Sequence, residues 1–75
     1  MTQMEVVYRY TGPLGQRLMR ALNDVGEVYG VRRITLDEKQ QIVRVEFDAS
    51  RFKEPVIAGL LRRAGMDIRE KLVLA

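Results

Sequence analysis

The apolar residues of this chain change spacing from a period of two to a period near 3.6 and back, twice over, and that alternation limits the fold more than any other feature. Met4-Glu5-Val6-Val7-Tyr8-Arg9-Tyr10 is rich in β-branched and aromatic side chains and stops at a Thr-Gly-Pro segment, which predicts a first strand. From Leu14 the spacing widens. Leu14, Leu18, Ala21, Leu22, Val25 and Val28 recur at intervals of three and four and share one helix face, with Arg17, Arg20, Asn23, Asp24 and Glu27 on the other. Gly26, late in this run, predicts a left-handed cap or a loosened last turn. Val31 to Asp37 alternates again, Ile34 and Leu36 opposing Arg33 and Thr35. Beyond the polar turn Asp37-Glu38-Lys39-Gln40, the residues Val43, Val45 and Phe47 alternate with Arg44 and Glu46, and the two runs predict an antiparallel hairpin. Asp48-Ala49-Ser50-Arg51 leads into a second helix from Glu54 to Ala64, where Pro55 suits the first turn because its missing N–H is not needed there. Ile57, Leu60, Leu61 and Ala64 face inward, and Phe52 packs beneath the start of the helix. Gly59 in its middle costs on the order of 1 kcal/mol relative to Ala. Gly65 ends the helix, and Met66 to Leu74 forms a last strand.

Strand, helix, strand, strand, helix, strand is the resulting order. Each strand–helix–strand half takes a right-handed crossover, so both helices fall on one face of a four-stranded antiparallel sheet. The expected fold is α+β, a ferredoxin-like βαββαβ sandwich, formed as a single domain over residues 1–75. Its open sheet face is expected to carry Arg33, Thr35, Arg44, Glu46, Arg69 and Lys71.

Composition narrows the chemistry. The chain has no Cys and no His, so it lacks disulfides and the thiolate and imidazole ligands that best hold soft or borderline metals. A general base would have to be a carboxylate or Lys, and the nearest Ser–carboxylate pair, Ser50 beside Asp48, has the spacing of an ordinary helix start. A non-enzymatic protein without a cofactor is expected. The net charge is +3, with ten Arg against three Lys, and the planar guanidinium fork leaves room for an anionic partner. Acidic residues are scattered among the basic ones, the pattern of a solvated mixed surface, and nucleic-acid binding is not expected. The longest apolar stretch, Val56 to Leu61, is too short to span a bilayer, so no membrane insertion is expected. Glu5 and Arg9 interrupt any signal-like region, and a cytoplasmic location is expected.

Three stretches together resemble the heavy-metal-associated domain of copper chaperones and metal-pumping ATPases. They are Val28-Tyr29-Gly30-Val31-Arg32-Arg33-Ile34-Thr35-Leu36-Asp37, Val43-Arg44-Val45-Glu46-Phe47-Asp48 and Leu60-Leu61-Arg62-Arg63-Ala64-Gly65-Met66-Asp67-Ile68. The resemblance covers roughly sixty residues without gaps, and it implies the same ferredoxin-like fold. It places the family's metal loop, Gly-Met-x-Cys-x-x-Cys, on Thr11-Gly12-Pro13-Leu14-Gly15-Gln16-Arg17, with Leu14 and Arg17 at the ligand positions. Leu has no donor atom and Arg is a fixed cation, so the chain resembles a degenerate member in which no metal site is expected. The same loop also looks somewhat like that of ACT regulatory domains, which implies a small-metabolite sensor as the alternative to a binding or adaptor module.

Thr11, Gly12, Leu14, Gly15, Gln16 and Arg17 therefore form the candidate ligand or anion site, because glycines before a helix expose backbone N–H groups. The competing reading is a plain strand-to-helix turn. Met1, Met4, Met19 and Met66 are expected to fill gaps in a small core rather than offer thioethers to a metal, and Tyr8, Tyr10 and Tyr29 are expected to pack. The tail Leu72-Val73-Leu74-Ala75 has no charge after Lys71, which predicts an unprotected edge and a weak homodimer through residues 68–75. Any other protein or small-molecule partner is unnamed by the sequence.

Overall fold

The computed structural model describes residues 3–74, in the order β1 (Gln3–Thr11), α1 (Gln16–Gly26), β2 (Val31–Asp37), β3 (Ile42–Asp48), α2 (Glu54–Arg63) and β4 (Asp67–Leu74). Met1 and Ala75, which entered the expectations for metal binding and for the edge, lie outside the described residues, as does the side chain of Leu74. The four strands form one antiparallel sheet in the order β2-β3-β1-β4. The core draws Val6, Tyr8 and Tyr10 from β1, Val43, Val45 and Phe47 from β3, Leu22 from α1, and Ile57, Ala58 and Leu61 from α2. Residues of both helices thus meet the same sheet face, which is the ferredoxin-like sandwich. No helix among the described residues is long and apolar enough to cross a membrane.

Local signals account for most boundaries. Pro55 stands in the first turn of α2. The helix ends in a paired cap: Gly65, at φ +106°, donates its N–H to the Arg62 carbonyl at 3.0 Å, and Met66 N–H reaches the Leu61 carbonyl at 3.1 Å. Met66 and Leu61 are both buried, closing that cap with an apolar contact. The hairpin turn runs from 38 to 41, one residue later than expected, and Gln41 adopts a positive φ of 55° ahead of β3. Asp37 Oδ1 accepts the N–H groups of Lys39 and Gln40 and shapes that turn. Gly26 is not left-handed. α1 closes with tightened bonds, Glu27 N–H to Asp24 at 3.1 Å and Val28 N–H to Val25 at 3.0 Å, and the chain reverses at Gly30 instead.

On the open face, Thr35 pairs with Arg44 and Arg33 with Glu46, as alternation predicts. Cross-strand ion pairs cover this face, Arg44 with Glu5 at 3.5 Å and Arg9 with Glu70 at 3.4 Å. β4 departs from the expectation. Its pairing with β1 is irregular between Val7 and Tyr8 and again between Arg9 and Tyr10. Each irregularity inserts a residue in β4 and shifts the alternation. Glu70 and Val73 thereby face Arg9 and Val7 on the open side, while Lys71 stands opposite the core-facing Tyr8. Lys71 lines the gap between β4 and α2, not the open face as the sequence suggested, whereas the Arg69 guanidinium reaches Thr11 and Asp67.

Candidate functional site

Two ends of the sandwich carry the connections, and the candidate loop occupies the end where β1 passes into α1. Thr11 closes β1, and its hydroxyl donates to Asp67 Oδ2 at 2.8 Å while accepting from Arg69 Nε at 3.3 Å. Arg69 also pairs with Asp67 at 3.0 Å, so the Thr11 side chain is committed to the start of β4. Gly12 holds φ +93°, a left-handed conformation that disfavours side chains. Leu14 is half-buried and packs against the core. Gly15 takes the extended N-cap position of α1 and accepts the Met19 N–H at 3.0 Å. No side chain caps this helix and no acidic residue lies in its first turn. The first N–H groups of α1 therefore point outward beside the exposed Gln16 and Arg17, where the helix dipole favours an anion.

Gly12, Gly15, Gln16 and Arg17 thus share one exposed turn. It leaves Leu14 and Thr11 out, one turned to the core and the other tied to β4. Of the methionines, Met66 is buried and Met4 packs against the core, whereas Met19 is 44% exposed and fills no gap. Among the described residues no group of three or more Asp or Glu side chains is placed to hold a metal ion.

The opposite end holds a concavity of about 280 Å³ lined by Glu27, Tyr29, Gly30, Arg32, Asp48 and Arg51, among others. Tyr29 is 72% exposed, contrary to the packing role expected of it. The Arg51 guanidinium lies 3.9 Å from its ring centroid, and Nη2 donates to its hydroxyl at 2.9 Å. Asp48 is the one buried charged side chain among the described residues. Its Oδ1 accepts the Ser50 hydroxyl at 2.6 Å and the Ser50 N–H at 3.0 Å. These bonds, with help from the Arg51 charge, hold its carboxyl below the usual carboxylate range despite burial. Gly30 at φ +106° makes room for Phe52, whose ring would lie 2.5 Å from a Cβ added there.

Tyr8 and Tyr10 pack as expected. The Tyr8 hydroxyl donates to Glu54 Oε1 at the start of α2. Burial, then this carboxylate, push its pKa well above the usual phenol range. Sequence reading missed the Tyr29–Arg51 and Tyr8–Glu54 pairs, since each joins residues far apart in the chain. The positive-φ Gly30 after Tyr29 was the one local sign that Tyr29 lies in a turn and not on the helix face.

No family model matches the chain, and no curated protein matches it. The likeness to the heavy-metal-associated domain rests on residues 28–37, 43–48 and 60–68 and their joint spacing.

Proposed function

We propose that this protein is a small non-enzymatic binding or adaptor module built on the heavy-metal-associated plan, with its metal-carrying loop converted to other use. The observation that carries this reading is the fate of the two ligand positions: Leu14 is turned into the core and Arg17 stands in solvent as a permanent cation. A soft metal would find neither a donor atom nor a favourable charge there. The absence of Cys and His from the whole chain supports the same conclusion, and action in the cytoplasm fits it. Titration with Cu(I) or Zn(II) near neutral pH, followed by melting temperature and amide chemical shifts, tests it. The expected result is no stoichiometric site. A site tighter than micromolar contradicts the reading.

The uncapped start of α1 beside Arg17 favours a second reading, an ACT-like sensor of a small anionic metabolite. A thermal-shift screen of amino acids and other small anions separates the two, because a ligand of the native state must raise the melting temperature.

A further inference from the structure

β4 is an edge strand, with no neighbour on its outer side among the described residues, and a groove of about 260 Å³ runs between it and α2. Tyr8, Ala58 and Ile68 contribute to its lining together with Arg62, Arg69 and Lys71. The irregularity at Arg69 brings Lys71 to this side. Glu54 and Glu70 line the groove as well, Glu54 accepting the neutral Tyr8 hydroxyl and Glu70 pairing with Arg9. Arg62 and Lys71 make no ion pair among the described residues. Farther along the strand, Leu72 and Val73 are 39% and 51% exposed. The edge therefore offers backbone groups, then an excess of basic side chains (Arg62, Arg69 and Lys71) over the carboxylates of Glu54 and Glu70, then an apolar end.

We propose that the groove between β4 and α2 takes an extended acidic segment of a partner protein, added as a strand to the β4 edge. Backbone bonding supplies the docking, as in other strand-addition complexes, and carboxylates of the segment meet Arg62 and Lys71. Leu72 and Val73 receive an apolar side chain at one end. A second copy of this chain is the poorer occupant, because two β4 strands paired across Arg69 to Lys71 set like charges opposite one another. This assignment rests on the binding-module reading and names its partner class. The irregular register keeps the paired run short, so the complex is weak and salt-sensitive.

Fluorescein-labelled peptides of four Glu-Val repeats and of four Lys-Val repeats, mixed with the intact chain at low salt, test the assignment by anisotropy and amide shifts. The acidic peptide is expected to bind, to weaken with added salt, and to move the amides of 68–73 and α2. Arg62→Glu with Lys71→Glu is expected to lower its affinity about tenfold or more, since two modest ion pairs are reversed, and the Gln versions to lower it less. Equal binding of the two peptides, or no binding at millimolar protein, overturns the proposal. So do shifts confined to residues 11–17, or shifts at 68–73 that depend on protein concentration without peptide, which would assign the edge to a second copy. A metal site found by titration would remove the adaptor reading of the loop without moving the β4 amides, so the two failures are distinguishable.

Discussion

At the end of the sheet where β1 runs into α1, a Cβ built on Gly12 or Gly15 meets nothing within 4 Å, whereas at the opposite end one built on Gly30 comes within 2.5 Å of the Phe52 ring. The first end is a turn held by backbone geometry and a few exposed polar bonds. The second is interlocked: Phe52 fills the space left by Gly30, Ser50 donates twice to Asp48, and Asp48 N–H reaches the Gly30 carbonyl at 2.7 Å. The heavy-metal-associated resemblance would put that family's metal loop at the open end and the stretch that begins at Val28 at the closed one. The difference teaches that added side-chain bulk at Gly12 or Gly15 meets open space, whereas bulk at Gly30 meets the Phe52 ring.

Substitution of the glycines exposes this contrast most strongly. Gly30→Ala combines a left-handed φ with a clash against a ring, and we expect it to destabilise the domain by about 2–4 kcal/mol. Gly15→Ala, at an extended φ of −83° with open space around it, is expected to cost about 1 kcal/mol or less, the loss of a preferred N-cap residue. Denaturant unfolding of the two variants measures both. Equal losses would show that the ends are built alike.

Acid sharpens the comparison next. The carboxyl of Asp48 titrates below its ordinary range when folded, so the unfolded chain takes up that proton first as pH falls. Its contribution is present above the ordinary carboxylate pKa of about 4 and is lost as pH drops through the lowered folded value. Asp48→Asn is therefore expected to lower the melting temperature at pH 7 and to flatten the acid limb. The check is the melting temperature of both proteins between neutral and strongly acid pH, and parallel curves would show that Asp48 is not the group responsible.

The smallest effect lies between the ends, on α2. A methyl group added at Gly59 would have nothing within 4 Å, and the backbone there is ordinary helix, so Gly59→Ala is expected to stabilise by up to about 1 kcal/mol. Thermal or denaturant unfolding measures the gain, and a loss of stability would reveal a close approach at this helix face.

Element order, the core faces of β1 and β3, the Pro55 start and the Gly65 cap of α2 were legible in the sequence because each depends on residues near in the chain. The alternation of Val43, Val45 and Phe47 sufficed to place all three in the core. The face of Lys71 was not legible. It depends on where β4 slips against Val7 and Arg9, and partner strands set that register. Tyr29 was misplaced for a related reason: α1 stops at Gly26, and the tightened exit carries Tyr29 off the helical period. At the candidate loop, the sequence disclosed which donor atoms are missing. It did not disclose that Leu14 turns to the core or that Thr11 is tied to Asp67 and Arg69, contacts that need the fold.

The most direct test of the central claim, a retained loop geometry from which only the ligands are gone, is to restore them. Leu14→Cys with Arg17→Cys recreates the two-thiolate spacing on the same turn. Titrated with Cu(I) or Zn(II) under reducing conditions beside the unaltered chain, the double variant is expected to bind one metal per chain through both thiolates, with proton release and shifts centred on residues 11–18, while the unaltered chain shows none of these. A folded double variant that takes up no metal, or an unaltered chain that binds as tightly, would contradict the account.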